Sequence, residues 1–150
     1  MKGIKTLILI LCISWGAYAQ QMNEYTYSIQ LGTNQSKGVE IRGEFQDWYS
    51  SFYWESIIID KSSAINWGFE IGLYNEINNF TVFYGINLGI LRKESNKPVY
   101  GANIELDYNI TRSAYIGLKV NYSRYQDSPR YQDIQTKELL RPLFKIGYKF

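Results

Sequence analysis

The chain has 150 residues, a length for one domain, and carries a formal net charge of only +2, with no histidine and a single cysteine. That balance argues against a nucleic-acid surface, and it leaves no residues for a disulfide. It also withholds the imidazole that general-base catalysis and most transition-metal sites draw on.

The N-terminus reads as a targeting segment. Lys2 and Lys5 form a short basic region, Leu7 to Trp15 is an apolar run, and Ala17-Tyr18-Ala19 places small residues where a signal peptidase reads, with cleavage before Gln20. The run falls short of the roughly 20 apolar residues of a spanning helix. A lipoprotein reading through Cys12 is disfavoured, because Leu11 stands where a small residue is expected. Residues 1–19 are therefore expected to be a cleaved export signal, and 20–150 one domain. Without Lys2 and Lys5 the basic and acidic residues balance at 14 each, so the slight basicity belongs to the signal. Zero net charge is unusual for a soluble secreted domain. No later stretch approaches 18 consecutive apolar residues, which excludes a transmembrane helix.

From Asn23 onward eight segments alternate with a period of two, the mark of a strand with one apolar and one polar face. Tyr25, Tyr27, Ile29 and Leu31 lead. After a turn near Asn34-Gln35-Ser36-Lys37, Val39, Ile41 and Phe45 alternate with Glu40, Arg42, Glu44 and Gln46. The third segment, near Phe52 to Ile59, is less regular because Ile57-Ile58-Ile59 fills both faces. In the fourth, Ile65, Trp67, Phe69, Ile71 and Leu73 oppose Asn66, Gly68, Glu70 and Gly72. The fifth sets Phe80, Val82, Tyr84, Ile86, Leu88 and Ile90 against Thr81, Phe83, Gly85, Asn87 and Gly89. Tyr100 to Asn109 and Ala114 to Ser123 repeat the pattern. The eighth carries Leu140, Pro142, Phe144, Ile146, Tyr148 and Phe150 on its apolar face. Expected turns lie at Asp47-Trp48-Tyr49, Asn75-Glu76-Ile77-Asn78 and Thr111-Arg112-Ser113. At the opposite end, longer links are expected at Arg92 to Lys97 and Gln126 to Lys137. Short turns at one end and longer loops at the other is the habit of bacterial membrane barrels.

Alternation alone does not say which face points out; three features favour apolar-out. Gly68, Gly72, Gly85, Gly89, Gly101, Gly117 and Gly147 all lie on the polar face, where a narrow eight-stranded lumen needs room for long charged side chains. Tyr25, Trp54, Trp67, Tyr100, Tyr108 and Tyr122 lie near segment ends, as an interfacial aromatic girdle requires. Strands of about 11 residues, tilted near 40°, rise about 28 Å and match an apolar membrane band.

With Phe150 closing the sequence, and Tyr148, Ile146 and Phe144 alternating before it, the chain resembles the small eight-stranded outer membrane β-barrel proteins of Gram-negative bacteria, over Asn23–Phe150. The resemblance implies an all-β, antiparallel up-and-down barrel in the cell outer membrane, in contact with outer membrane lipid. It also implies that Tyr148 and Phe150 form a signal read by the barrel-assembly machinery during insertion. The links are shorter than in many such proteins, which weighs against adhesive loops.

Glu40, Arg42, Glu44, Glu70, Glu105, Asp107, Lys119, Lys145 and Lys149 then face inward, with Glu55 and Arg141 less firmly placed, and charges of both signs in a confined lumen should pair. The expected protein is a monomeric scaffold of the cell envelope with a plugged polar lumen, a structural or interaction role, no enzymatic activity, no cofactor or metal, and no nucleic-acid partner. Two alternatives remain: a narrow porin-like pore for ions or small solutes, and a secreted soluble β-barrel binding a small apolar ligand.

Overall fold

A computed structural model describes residues 24–33, 35–127 and 135–150. The expected export signal lies outside the described residues, as does much of the Gln126–Lys137 link. Eight strands run in chain order: β1 Glu24–Gly32, β2 Lys37–Phe45, β3 Trp48–Ile59, β4 Ser62–Ile77, β5 Phe80–Arg92, β6 Asn96–Asn109, β7 Ala114–Asp127 and β8 Gln135–Lys149. Each pairs antiparallel with its sequence neighbours, and β1 pairs with β8, closing a barrel. Tyr25 and Phe150 seal that seam by exchanging two backbone hydrogen bonds, of 3.2 and 2.9 Å. Closure leaves no ladder edge in the spanning part of the wall, a requirement in lipid, where an unpaired backbone group finds no water.

The register fixes the width. Paired residues can be followed once around, from Gly147 through Ser28, Glu40, Tyr53, Gly68, Gly89, Val99 and Tyr125. The circuit returns to β8 at Lys137, ten residues from its start. Ten residues of stagger over eight strands corresponds to a tilt of roughly 40°, with an interior just wide enough for side chains to fill.

The faces run opposite to those of a soluble barrel. Ile86, Leu88, Ile104 and Leu118 point outward and are each more than half exposed, while Arg42, Glu70, Lys119 and Lys145 are buried inside. An apolar belt of that extent, continuous around the wall, is not sustainable in water.

The connections differ from expectation. Asn75, Glu76 and Ile77 continue β4, so the turn is Asn78–Asn79; Trp48 and Tyr49 belong to β3, after a turn at Gln46–Asp47. The β3–β4 link, on the end expected to carry longer loops, is the two-residue turn Asp60–Lys61. Both residues have positive φ, 51° and 63°, the geometry whose twist matches a right-handed hairpin. We call the end with the β1–β2, β3–β4, β5–β6 and β7–β8 connections the loop end, and the other the turn end.

The glycines serve a different purpose from the one expected. Gly72 pairs with Gly85 and Gly68 with Gly89 across β4 and β5, and over this bare strip lie two tyrosines from β3. A Cβ on Gly85 would meet the Tyr49 hydroxyl at 2.7 Å, and one on Gly89 the Tyr53 hydroxyl at 2.7 Å. Gly147 likewise faces the Tyr115 ring. The room at Gly72, Gly85, Gly89 and Gly147 goes to aromatic rings, and Gly117 yields space to a charged group, Asp107.

Candidate functional site

Alternation on β2, β4, β6, β7 and β8 brings the inward charges to one level at mid-barrel. Arg42 lies 2.7 Å from Glu40 on its own strand, reaches across the lumen to Glu105, and lies 3.3 Å from Asp107. Lys119 Nζ stands 2.7 Å from Glu40 and 2.6 Å from Glu70, and Lys145 Nζ stands 2.9 Å from Glu40 and 2.6 Å from Glu105. Gln30 donates to Glu40 at 2.6 Å, and Asn103 to Glu70 at 3.2 Å. Three cations from β2, β7 and β8 are thus tied to four carboxylates from β2, β4 and β6, all but inaccessible to solvent. Each charge in such a site needs partners to offset its lost hydration, and each of the three cations has two or more carboxylates.

Toward the turn end the lumen becomes aromatic. The Arg42 guanidinium lies 3.9 Å from the Phe83 ring centre and 5.4 Å from that of Tyr49, and these two rings meet edge to face at 5.2 Å. Glu44 is buried at this level opposite Glu24 of β1, and Lys149 lies 3.6 Å from Glu24. Both Glu44 and Lys149 face inward but sit nearer the mouth than the central cluster.

Toward the loop end the lining changes twice. First come Glu55 and Arg141, both buried and paired with each other, and the bonds of Asn66 to Glu55 and Asn87 to Asn121, each 2.7 Å. Above them lies an apolar cluster of Ile57, Ile59, Ala64, Leu91, Val99 and Tyr125, with Leu139 packed against it. A uniformly polar lumen does not describe the protein: its loop-end third is a small hydrophobic core. In the irregular third strand, Ile57 and Ile59 take the inward positions and Ile58 the outward one. Tyr49 and Tyr53 were also missed as lumen residues, Tyr49 having been placed in a turn.

The aromatic positions all lie on the outer wall or at its rims. Tyr25 stacks on Phe150 at 6.3 Å and Tyr108 meets Phe80 at a tilt, 5.0 Å between ring centres, both at the turn end. Trp54 and Trp67 are register partners in the middle of β3 and β4 rather than at their ends, yet they lie level with the start of β2, where Lys37 faces Ser56. Tyr100 stands opposite Arg124, and Tyr122 accepts a 2.6 Å hydrogen bond from Arg124. Tyr148 and Phe150 are exposed on the outer face. Outside the spanning wall, a hydrogen bond from Lys137 and the charge of Lys93 nearby hold the Asp60 carboxyl below its usual range.

Comparison with known proteins places this architecture. No protein-family model and no curated protein matches the sequence. Among solved structures, the chain is similar to Neisserial surface protein A (TM-score 0.58, 8% identity, 84% of this chain and 92% of that one). It is similar to the N-terminal β-barrel domain of Pseudomonas aeruginosa OprF (TM-score 0.58, 10% identity, 86% and 98%). It is also similar to the Yersinia pestis outer membrane protein Ail in a phospholipid bilayer nanodisc (TM-score 0.55, 14% identity, 85% and 99%). At such identities the likeness is one of fold, and the fold is that of the small eight-stranded outer membrane β-barrels.

Proposed function

We propose that this protein resides in an outer membrane as a barrel with a plugged lumen, serving a structural or interaction role in the cell envelope rather than catalysis or conduction. One observation carries the reading: the central layer, in which Arg42, Lys119 and Lys145 reach across the lumen to Glu40, Glu70 and Glu105. A water path through that layer would have to part several charge-assisted bonds at once, leaving buried charges without partners. The aromatic layer on one side and the apolar cluster on the other support the same reading. A nucleophile activated by histidine is not available to the chain, and Glu40, Glu70 and Glu105 of the central layer are engaged with cations, not facing a substrate cavity.

Planar-bilayer recording on the purified barrel tests the plug. The expected result is a current indistinguishable from the protein-free membrane. Discrete, reproducible openings would overturn the plugged reading in favour of a narrow pore. Recovery of the protein in a detergent-free soluble fraction would overturn the membrane location itself.

A further inference from the structure

The wall is not equally tall all round. β1 stops at Gly32, opposite Leu143, whereas β8 continues for eight more residues beside β7. β2 starts at Lys37, opposite Ser56, whereas β3 continues through Ile59 beside β4. Above the β1–β2 hairpin the wall therefore has a notch, roughly 14 Å across at three inter-strand steps. A cavity of about 490 Å³ fills it, lined by Gln35, Ile58, Ile59, Tyr125, Glu138 and Leu139 among others.

Both sides of the notch are strand edges, and their polarity can be read from the ladder. In an antiparallel pair a residue directs its N–H and C=O to the same neighbour. The Pro142 carbonyl accepts from Thr33 N–H at 3.3 Å, so even-numbered residues of β8 face the β1 side. Above Pro142, then, Leu140, Glu138 and Thr136 direct their N–H and C=O groups into the notch, where no described residue of β1 stands opposite. Across the gap, the Tyr74 N–H to Asp47 carbonyl bond sets odd-numbered residues of β3 toward β4, so Ile58 also directs its backbone groups into the notch. The floor is the apolar cluster around Ile59, Tyr125 and Leu139.

The outer face here has left the apolar band. Next to Leu140 and Tyr122 come Glu138 and Arg124, exposed and 2.8 Å apart, so the edge lies on the water side of the wall. The rim charges are balanced against one another, Asp60 with Lys93 at 3.6 Å and with Lys137 at 3.3 Å. That leaves little field for selecting a charged partner. What the notch offers is ladder groups on both edges over an apolar floor, and the chemistry that satisfies both is another strand.

We propose that the notch is a strand-addition site: an extended, uncharged segment of a protein partner pairs with the β8 edge from Thr136 to Leu140 and lays alternate apolar side chains over Leu139, Ile59 and Tyr125. Affinity comes from main-chain hydrogen bonds and selectivity from the alternate side chains. The proposal rests on the membrane-barrel reading for its statement that the edge faces water.

A fluorescently labelled alternating threonine–valine heptapeptide is the probe, read by anisotropy with the full-length barrel refolded in detergent micelles. Saturable binding is expected, weakened by about tenfold or more when every peptide nitrogen is methylated, which removes the donors and keeps the side chains. The double variant Thr136→Pro/Glu138→Pro should weaken binding to a similar degree. It removes N–H groups that face the notch and no ladder bond to β7, so the barrel should keep its heat-modifiable gel mobility. Absence of saturable binding to the wild-type barrel, equal binding of the methylated peptide, or equal binding by the folded double variant would each overturn the proposal. A wild-type barrel without heat-modifiable mobility would instead count against the membrane-barrel reading.

Discussion

The middle of the lumen and its loop-end third solve the same problem of filling a narrow tube by opposite means. At mid-barrel, cations and carboxylates hold one another across the gap, each cation with two or more carboxylate partners. At the loop end, Ile57, Leu91, Val99 and Tyr125 meet as they would in the core of a water-soluble protein. The difference lies in how failure spreads. Removing one member of an ion cluster strands its partners without hydration, whereas trimming an apolar side chain leaves a void and nothing charged.

The largest expected effect tests the shared boundary condition, a lumen with no spare room. Gly85→Leu should abolish the folded barrel, because a Cβ alone already meets the Tyr49 hydroxyl and the Ile71 carbonyl at 2.7 and 2.5 Å. Gel mobility of boiled and unboiled samples reads this directly, and a wild-type shift in the variant would show that the wall is loosely packed.

The contrast itself is sharpened by two substitutions that preserve volume. Lys119→Met keeps the length of the side chain but leaves Glu40 and Glu70 facing each other without their common cation. It should cost about 3–5 kcal/mol, the scale for breaking a buried pair from one side. Leu91→Met, in the apolar cluster, should cost less than about 1.5 kcal/mol. Urea unfolding in lipid vesicles, followed by tryptophan fluorescence, compares the two, and equal losses would erase the distinction between the regions. The smallest effect is expected on the outside. Arg124→Ala breaks an exposed pair with Glu138 and should change stability by no more than about 1 kcal/mol in the same assay.

Much of this organisation was legible from period-two alternation. It placed eight strands in order and set Glu40, Arg42, Glu70, Glu105, Lys119 and Lys145 on the inward face, because a strand that alternates has only two sides. It faltered where local chemistry is ambiguous. Ile57-Ile58-Ile59 carries no alternation, so only the pairing with β4 decides which isoleucines enter the lumen. Asp60–Lys61 lacks the glycine that usually announces a tight hairpin, yet both residues adopt left-handed backbone geometry there. Asn75-Glu76-Ile77 looked like a turn because polar residues crowd it, but they are the turn-end extension of β4 beside β5. The meeting of Arg42 with Glu105 was beyond reach for another reason: it joins strands on opposite sides of the barrel, and which residues share a level depends on the stagger accumulated around the whole ring.

The seam between Tyr25 and Phe150 has a consequence for how such a molecule comes apart. An open sheet can lose strands one at a time from its margin, but a ring has no margin, and detaching any strand means opening two ladders together. The ladders flanking β1 are short, with β1–β8 running only from the Tyr25–Phe150 bonds to the Thr33–Pro142 bond, whereas β7–β8 runs from Ala114–Tyr148 to Asp127–Gln135. Rupture should therefore begin at β1, and once that strand has left, the lipid-facing remainder has two raw margins that the hydrocarbon cannot solvate. Partial opening is thus penalised more than complete opening, which makes the wall behave as a single cooperative unit.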